Sequence, residues 1–494
     1  MTDSNVKPVI WTAREVASAL GAATSNDWSA TGVSIDSRTV VPGDLFVAIV
    51  GPLHDAHDFV LDALKNGAVG AVVHCDPEQL APDRSITERL IRVPDTLMAL
   101  ETLAEQARQR SDARIIAVTG SVGKTGTKEI LKLVLSEQGA TIATQGNLNN
   151  QWGLPLSLAR MPRETEFGIF EMGMNRAGEI APLSKIARPD VALITTVEMV
   201  HSEFFESIGQ IADSKAEIFT GLTADGVAVL NADNAMYPQL RTDVEQKRKK
   251  VVKTFGYHQD ADFRLLSATS ENNFCRADAR INGHPVSFKI GIAGRHWALN
   301  ALGALACVEA IGADVTRALR KLTEMRGLKG RGERHVLQVP GGAYILIDES
   351  YNASPVSMRA ALEVLGQMSM RGDGRRIAVL GDMLELGTRT EQCHADLLTP
   401  LTENNTDLVF TTGQYMGRLW NLLPAKMRGG HAMTADKLLP LLLDAVRPGD
   451  VVSIKGSLGS NTGRIVSKLL ELHGADTVRP TICDDLTKST EGGS

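Results

Sequence analysis

The chain has 494 residues, which is too long for a single hydrophobic core and predicts about three domains. Hydrophobic residues make up 43% and charged residues 22%, as in an ordinary globular protein, and the net charge of −6 argues against nucleic acid as the main partner. No apolar run is long enough to span a membrane, and the N-terminus lacks the apolar core of a signal peptide. We therefore expect a cytoplasmic protein.

Apolar runs that predict strands alternate with helical patterns along most of the chain. This alternation is typical of an α/β fold, in which helices cover parallel sheets. The five cysteines are scattered and form no CxxC pair, which suits reduced thiols and gives no zinc motif. The clearest predicted strands are Ile115–Val118, Phe167–Glu171, Val191–Thr195, Val227–Leu230, Tyr344–Asp348, Ile377–Leu380, Leu408–Thr411 and Val451–Ile454.

Two stretches predict domain boundaries, one polar (108–112) and one rich in glycine and basic residues (326–332). We expect three domains over 1–112, 113–328 and 329–483. The polar remainder, 484–494, is expected to be disordered.

The most informative segment is the run Ile115–Leu131, IIAVTGSVGKTGTKEIL. A predicted strand leads into a glycine loop and then a helix, the layout that binds a nucleoside triphosphate. Backbone N–H groups and Lys124 would meet the phosphates, and the Thr125 hydroxyl suits Mg²⁺. The two loop glycines are separated by two residues, where the common phosphate loop has four. The predicted nucleotide-binding residues are Gly120, Ser121, Val122, Gly123, Lys124 and Thr125.

Three residues downstream could complete a magnesium site. Glu171 ends a predicted strand, where a carboxylate can either face water or hold Mg²⁺, and the nearby phosphate loop favours the metal. His201 also follows a strand end, but a lone histidine carries little weight. Lys215 lies on the apolar stripe of a helix that Ser207 would cap. It is either an ordinary buried or snorkelling lysine or a reactive one with a lowered pKa, and the residues alone favour the first.

Two further segments offer polar groups for recognition. Residues 144–155 place several amide side chains in a glycine-containing loop, which could bind sugar, peptide or phosphate, or simply form a turn. Asp348 ends a predicted strand and is followed by Tyr351 and Asn352, although Asn352 could equally cap the next helix.

Taken together, these segments resemble the Mur ligases, the ATP-dependent amide-bond-forming enzymes of peptidoglycan synthesis. The resemblance covers nearly the whole chain. Residues 144–155 and GDMLELG (381–387) are similar to the member that adds a dipeptide, and the Asp-Asn-Pro-Arg motif of the diamino-acid-adding member is missing. The matching segments are TGSVGKT (119–125), TQGNLNNQWGLP (144–155), EMGMNRAGEI (171–180), His201 with SKAEI (214–218), AGRHWALNALGALA (293–306), DESYNASP (348–355) and KGS (455–457).

The resemblance implies a domain for the uridine nucleotide substrate, a central phosphate-loop ATPase domain with a parallel sheet, and a C-terminal Rossmann-like ligase domain. The run 53–59 has Ala56 where the family motif usually has glycine, so the resemblance leaves the contacts of that loop open. Asn300 lies where the family places its adenine contact, and Arg331 and Asp348 would also meet ATP. The implied substrate-binding residues are Ser37, Arg38, Asn147, Asn149, Asn150, Tyr351 and Asn352.

The implied reaction joins D-alanyl-D-alanine to UDP-N-acetylmuramoyl-tripeptide through an acyl phosphate and requires ATP and Mg²⁺. We expect the enzyme to be a monomer. Lys124 would neutralise the γ-phosphate, and Thr125 and Glu171 would hold Mg²⁺. By resemblance, Lys215 would be a carbamate that serves a second Mg²⁺ with His201 and Glu171. The implied catalytic residues are Lys124, Glu171, His201 and Lys215.

Other functions remain open at this point. A sister ligase that adds another amino acid, or a folylpolyglutamate-type ligase, would use the same ATPase core. A nucleotide-dependent switch or binding module is a different class, and it would form no amide product.

Overall fold

The computed structural model describes residues 7–24, 26–80, 83–199, 203–271, 273–370 and 372–477. His201 and the tail expected to be disordered, 484–494, lie outside these ranges. The chain forms two compact units. The first contains Met1–Ser267, Ala277–Phe288 and Ala298–Thr323, and the second contains Ala268–Arg276, Lys289–Trp297 and Glu324–Ser494.

The N-terminal part of the first unit is built on a small parallel sheet with the strand order β3-β4-β5-β6. The six strands of this N-terminal part are two to four residues long, so their apolar runs are short. The strands of this part are β1 Trp11–Thr12, β2 Ser29–Ala30, β3 Gly32–Ser34, β4 Asp44–Val47, β5 Gly70–Val73 and β6 Leu90–Arg92. The helices are α1 Ala13–Leu20, α2 Val60–Lys65, α3 Pro77–Leu80, α4 Arg84–Thr87 and α5 Thr96–Gln109.

A nine-stranded sheet with the order β15-β14-β13-β12-β11-β10-β7-β9-β8 follows along the chain. Its strands are β7 Arg114–Thr119, β8 Thr141–Ala143, β9 Phe167–Glu171, β10 Val191–Ile194, β11 Val227–Asn231, β12 Val251–Gly256, β13 Phe263–Ser270, β14 Cys275–Ile281 and β15 His284–Ile290. The helices are α6 Lys124–Leu135, α7 Gly153–Ala159, α8 Ile180–Ala187, α9 Ile208–Ala216, α10 Tyr237–Thr242, α11 Arg295–Ala310 and α12 Val315–Lys321.

The position of β7 in this sheet decides where the functional residues meet. Strand β7 lies between β9 and β10 and is parallel to both. Because the carboxyl ends of parallel strands share one edge, the segments after Thr119, Glu171 and Ile194 come together there.

The second unit carries a seven-stranded sheet with the order β20-β19-β18-β21-β17-β16-β22. The strands from β20 to β17 in that order are parallel, and β16 is antiparallel to both of its neighbours. The strands are β16 Glu333–Val339, β17 Gly342–Glu349, β18 Arg376–Gly381, β19 Leu408–Thr412, β20 Arg428–Ala432, β21 Val451–Lys455 and β22 Ala475–Thr477. The helices are α13 Pro355–Gln367, α14 Thr390–Ala395, α15 Leu398–Glu403, α16 Met416–Leu422, α17 Ala435–Ala445 and α18 Thr462–His473.

The α/β fold class is confirmed, and each of the eight predicted strands is present to within two residues at either end. These strands were recognisable because nearly every residue in the predicted runs is buried, which produces a continuous apolar pattern. Among the described residues, no helix is both long and apolar enough to cross a membrane.

Candidate active site

The glycine loop joins β7 to α6, as the sequence predicts. Gly120 has φ 146° and Gly123, the residue before the helix, has φ 92°, both in the left-handed half of conformational space. A side chain at Gly120 would collide with the Thr195 hydroxyl, and one at Gly123 would lie 3.0 Å from Oδ1 of Asn300. The loop therefore needs glycine at both positions for backbone geometry and for space.

The segment after β10 supports the loop from one side. The Ser121 amide donates to the Thr196 carbonyl oxygen at 2.8 Å, and the Thr195 hydroxyl donates to the Val122 carbonyl oxygen at 2.6 Å. The Ser121 hydroxyl accepts the Glu198 amide at 2.9 Å. These bonds hold the loop open around the start of α6, where unpaired helix N–H groups and the helix dipole favour a phosphate.

Lys124 and Thr125 begin α6 at the mouth of this loop. The Lys124 ammonium donates to the Gly120 carbonyl oxygen at 2.7 Å, so it lies across the loop. The Thr125 hydroxyl donates to Oε2 of Glu171 at 2.9 Å. Loop, lysine and hydroxyl therefore have the arrangement that is typical of a phosphate loop.

Glu171 ends β9 beside the loop and is 3% exposed. Its Oε1 accepts the Asn149 side-chain amide at 2.9 Å, while its other oxygen accepts Thr125. The paired hydroxyl and carboxylate oxygens are hard donors of the kind that Mg²⁺ prefers. The donor set therefore fits a magnesium ion.

Lys215 lies on α9 and is 2% exposed, which confirms that it is on the buried side of its helix. Burial, together with the nearby positive charge of Lys124, holds the pKa of its ammonium well below the usual value. In the described ranges its ammonium has no hydrogen-bond or ion-pair partner. The predicted helix ends at Ala216 and continues as a 3-10 turn, with Ser207 capping its start through the Gln210 amide.

The amide-rich loop uses its asparagines in different ways. Asn149 reaches Glu171, whereas Oδ1 of Asn150 accepts the amides of Trp152 and Gly153 and forms the turn into α7. Asn147 is exposed. Asn149 is therefore the amide that contributes directly to the predicted metal site.

Ser37 and Arg38 follow β3 in the small N-terminal sheet, which is a different sheet from the one that carries the phosphate loop. The Arg38 guanidinium forms two hydrogen bonds to Asp36, at 2.9 and 2.7 Å, and is exposed. The Ser37 carbonyl oxygen accepts the Asn66 amide at 3.0 Å. These contacts give the segment a defined shape at the surface.

The run with Ala56 contributes Asp55 and His57 to a cluster with His74 that has metal-ligand spacing. Nε2 of His57 accepts the His74 backbone amide at 3.0 Å, so in the neutral ring Nδ1 carries the proton and donates to Asp55 at 2.6 Å. No ring lone pair of His57 is left for a metal. The cluster therefore shapes the loop and does not fit an ion.

In the second unit, Arg331 and Tyr351 lie together, with the guanidinium 4.3 Å from the ring centroid. Asp348 is 3% exposed. Its Oδ2 accepts the Gly330 amide at 2.9 Å, and its Oδ1 accepts the Ser350 amide and hydroxyl at 3.0 and 2.6 Å. Asp348 therefore holds the 330–332 segment, which presents Arg331.

Ser354, and not Asn352, caps α13, so the alternative that Asn352 caps this helix is wrong. The Asn352 carbonyl oxygen instead accepts the ammonium of Lys455, which lies 3.5 Å from Glu349 and is 4% exposed. Burial lowers the pKa of Lys455. The sequence analysis included Lys455 only as part of the KGS segment that resembles the family. A lysine at the end of an apolar strand could have indicated a functional role for this residue.

A second missed lysine, Lys128, lies on α6 and is 1% exposed. Its ammonium donates to the Thr144 carbonyl oxygen at 2.8 Å. No local sequence pattern predicts this contact, because the two residues are 16 positions apart.

The first unit therefore brings together most of the predicted catalytic and nucleotide-binding residues. Hydrogen bonds link Thr125, Glu171 and Asn149, and the Asn300 side chain lies beside Gly123. Lys215 is close enough to Lys124 for the charge of Lys124 to lower the Lys215 pKa. The residues after β3 belong to another sheet of the same unit, and Arg331, Asp348, Tyr351 and Asn352 belong to the second unit.

Three family models match the chain in succession. The model of the Mur ligase family catalytic domain matches residues 29–108, that of the Mur ligase middle domain matches 118–308, and that of the Mur ligase glutamate ligase domain matches 330–458. The middle-domain model spans the phosphate loop, Glu171 and Lys215.

Curated relatives match over almost their full length. The UDP-N-acetylmuramoyl-tripeptide–D-alanyl-D-alanine ligase of Rickettsia prowazekii is 32% identical, covering 93% of this chain and 99% of the relative. The ligase of the same name from Bacillus subtilis is 34% identical, with 89% and 93% covered.

Solved structures agree with the curated relatives. A crystal structure of MurF from Acinetobacter baumannii is 29% identical with a TM-score of 0.80, covering 93% of this chain and 99% of that one. MurF from Thermotoga maritima, solved in complex with ADP, is 28% identical with a TM-score of 0.73, covering 89% and 97%. Since family models, relatives and structures agree along nearly the whole length, this chain belongs to the Mur ligase family.

Proposed function

We propose that this chain joins D-alanyl-D-alanine to UDP-N-acetylmuramoyl-tripeptide, using ATP, in peptidoglycan precursor synthesis. The observation that carries the proposal is the Thr125–Glu171 pair at 2.9 Å beside the glycine loop, within a chain that matches the dipeptide-adding ligases nearly end to end. A hydroxyl and a carboxylate at the mouth of a phosphate loop suit metal-assisted phosphoryl transfer.

The proposed reaction has two steps. A terminal carboxylate oxygen of the tripeptide attacks the γ-phosphorus of ATP, the bond to the β-phosphate oxygen breaks, and ADP leaves. The resulting acyl phosphate is attacked at its carbonyl carbon by the free amine of D-alanyl-D-alanine. The tetrahedral intermediate then expels inorganic phosphate, the nitrogen loses a proton, and an amide remains.

The residues contribute mainly position and charge, since the chemistry needs no protein nucleophile. The loop amides and the start of α6 would bind the phosphates, and Lys124 would neutralise the transferred group. Mg²⁺ held by Thr125 and Glu171 would neutralise phosphate charge and favour an in-line geometry when bound. Asn149 would keep Glu171 oriented through the hydrogen bond that it already makes.

The buried Lys215 is proposed to react with CO₂ and become a carbamate. Its lowered pKa supports this, because only the neutral amine attacks CO₂. The product is an anion whose oxygens suit a second Mg²⁺, with Glu171 and His201 as the other proposed ligands. His201 lies outside the described residues, so its part rests on the family resemblance.

The remaining assignments follow the same proposal. Ser37 and Arg38 would contact the uridine nucleotide, and Asn300 would contact the adenine. Arg331 would contact ATP, with Asp348 holding its segment in place. Asn147, Asn149, Asn150, Tyr351 and Asn352 would contact the peptide substrates.

We also propose the domain limits 1–112, 113–328 and 329–483 for the nucleotide-substrate, ATPase and ligase domains. The family-model boundaries support these limits. We propose a cytoplasmic location, since the substrates are water-soluble nucleotides and dipeptides, and we propose that the chain acts as a monomer.

Phosphate release with UDP-N-acetylmuramoyl-tripeptide, with and without D-alanyl-D-alanine, tests the function. We expect phosphate and ADP at useful rates only when both substrates are present, with mass spectrometry showing one added dipeptide. The rate should rise from neutral to mildly alkaline pH, because the attacking amine must be deprotonated.

The other functions would give different results. A product heavier by one diamino acid would indicate a sister ligase, and glutamate addition to a folate would indicate a folylpolyglutamate-type ligase. Nucleotide-controlled partner binding without an amide product would indicate a switch.

A further inference from the structure

One fully buried charged group near the active site has no part in the proposed chemistry. Lys128 lies on α6, three and four residues beyond Thr125 and Lys124, and therefore one helical turn along the same side. Its ammonium lies 2.6 Å from Oε1 of Glu129 and donates to the Thr144 carbonyl oxygen at 2.8 Å. Burying an ammonium is costly, and apolar replacements of buried ion pairs are often tolerated, so stability is a weak explanation for its presence.

The partner of Lys128 is also a partner of Glu171. Thr144 directly follows β8, is 2% exposed, and continues the sheet by donating its amide to the Ile169 carbonyl oxygen at 3.0 Å. Its hydroxyl accepts the backbone amide of Glu171 at 3.0 Å. Thr144 thus holds the main chain of the residue whose carboxylate faces Thr125.

These contacts close a ring. Thr125 donates to the Glu171 carboxylate, the Glu171 amide donates to the Thr144 hydroxyl, and Lys128 donates to the Thr144 carbonyl oxygen. One turn of α6 joins Lys128 back to Thr125. Helix α6 and the end of β9 are therefore connected by two routes, one through the groups proposed to bind metal and one through Lys128 and Thr144.

We propose that Lys128 is a positioning residue, which fixes the spacing between α6 and Glu171 through Thr144. The direct Thr125–Glu171 bond joins the two groups that are proposed to hold the metal ion, so its geometry depends on whether the ion is bound. The route through Lys128 and Thr144 uses no such group and stays intact. The proposal deepens the proposed function, since it gives Glu171 a defined position before nucleotide and metal bind.

The contact between Lys128 and Thr144 also orders the amide-rich loop. Thr144 is the first residue of that loop, and Asn149 further along it returns to Oε1 of Glu171 and accepts the Gly173 amide with its carbonyl oxygen at 2.8 Å. Loss of the Lys128 contact would therefore loosen both the backbone and the side-chain support of Glu171.

The test compares Lys128→Met, which keeps the length and removes the donor, with Lys128→Arg, which keeps a donor. Lys132→Met is the matched control, because Lys132 is exposed on the same helix one turn further on. Thr144→Val and Thr144→Ser probe the next link by removing or keeping the hydroxyl.

The first readout uses the enzyme without metal or nucleotide. Hydrogen exchange should accelerate in peptides covering 144–152 and 167–173 in Lys128→Met and Thr144→Val, and should be unchanged in Lys132→Met and Thr144→Ser. This measurement needs no substrate, so it tests the positioning role of Lys128 and Thr144 even if the proposed reaction is wrong.

The second readout separates positioning from folding. In Lys128→Met we expect unchanged binding of metal-free ADP and an unaltered KM for D-alanyl-D-alanine. The Mg²⁺ concentration that gives half the maximal rate should rise roughly tenfold, and kcat should fall by a similar factor. Lys128→Arg should recover most of this loss. The double variant Lys128→Met/Thr144→Val should lose clearly less than the product of the two single losses, because both act through one path.

Normal exchange in these peptides and normal Mg²⁺ dependence in a folded Lys128→Met protein would overturn the proposal. So would fully multiplicative losses in the double variant. If Lys128→Met does not fold, Thr144→Val and Lys128→Arg decide: wild-type exchange and Mg²⁺ dependence in Thr144→Val would overturn the proposal just as plainly.

Discussion

The Thr125 hydroxyl donates to the Glu171 carboxylate across 2.9 Å, joining the first turn of α6 to the end of β9. The two residues are 46 positions apart, and the parallel pairing of β7 with β9 brings them together. A hydroxyl and a carboxylate that already touch can both turn to one metal ion with little rearrangement, which lowers the cost of forming that site.

Glu171→Gln keeps an acceptor for Thr125 and removes the charge. We expect ligation to fall by roughly a hundredfold while metal-free ADP still binds, because the metal loses its anionic ligand. Steady-state rates with titrated Mg²⁺ and calorimetric ADP binding check this. Glu164→Gln, at an exposed position, should behave as wild type, and equal rates in the two variants would count against the metal site.

Lys124→Ala should reduce ligation by roughly a hundredfold to a thousandfold without unfolding the protein, because its role is charge stabilisation at a loop. Phosphate release and a thermal melt measure the two effects. Lys132→Ala on the same helix is the control. A folded Lys124→Ala enzyme with near-normal turnover would contradict the prediction.

Lys215→Ala should lose activity, and a short carboxylic acid such as acetate should restore part of it by supplying the missing anion. Removal of CO₂ should lower wild-type activity reversibly. Mass spectrometry under non-acidic conditions checks for the added carbamate mass. An active enzyme in which Lys215 is unmodified and dispensable would refute the proposed carbamate.

The unmodified Lys215 also predicts a pH dependence of stability. Because its pKa is lowered in the folded state, the folded protein binds fewer protons than the unfolded chain between the folded and unfolded pKa values. Stability of CO₂-free wild type should therefore rise with pH towards 10, relative to Lys215→Met. Parallel denaturation curves for the two proteins at every pH would contradict this.

Gly120→Ala should weaken the glycine loop, since the new methyl group meets the Thr195 hydroxyl and φ is 146°. We expect a loss of about 2 kcal/mol in the free energy of unfolding and poor nucleotide binding. Gly178→Ala, which has φ 90° but nothing within 4 Å, separates strain from collision and should cost only about 1 kcal/mol. Equal losses in the two variants would rule out the collision.

His394 predicts an acid-sensitive segment in the second unit. It is fully buried, its Nε2 accepts the Met383 amide at 3.0 Å, and burial lowers its pKa. Stability from this group is complete above the unfolded pKa of about 6.5 and is lost as pH falls towards the lower folded pKa. Hydrogen exchange of 381–387, corrected for pH, should accelerate between pH 7 and 5 in wild type and less in His394→Gln.

The sequence predicted those parts of the fold whose residues form a regular apolar pattern along the chain. The strands that end at Thr119, Glu171 and Ile194 are apolar runs buried on both faces, and the burial of Lys215 follows from helical periodicity. The N-terminal strands are too short for such a signal. The roles of Lys128 and Thr144 depend on contacts between distant segments, which no local pattern encodes.

The order in which the site's parts occur along the chain has a consequence for its synthesis. The glycine loop is complete once residue 125 has been made, but Glu171, Thr195 and Asn300, which flank it, emerge later from the ribosome. A nascent chain that stops before Asn300 carries the motif without its surroundings. Parallel pairing of distant strands closes slowly. Nucleotide binding should therefore mature late, after the central sheet has assembled, and not when the motif itself appears.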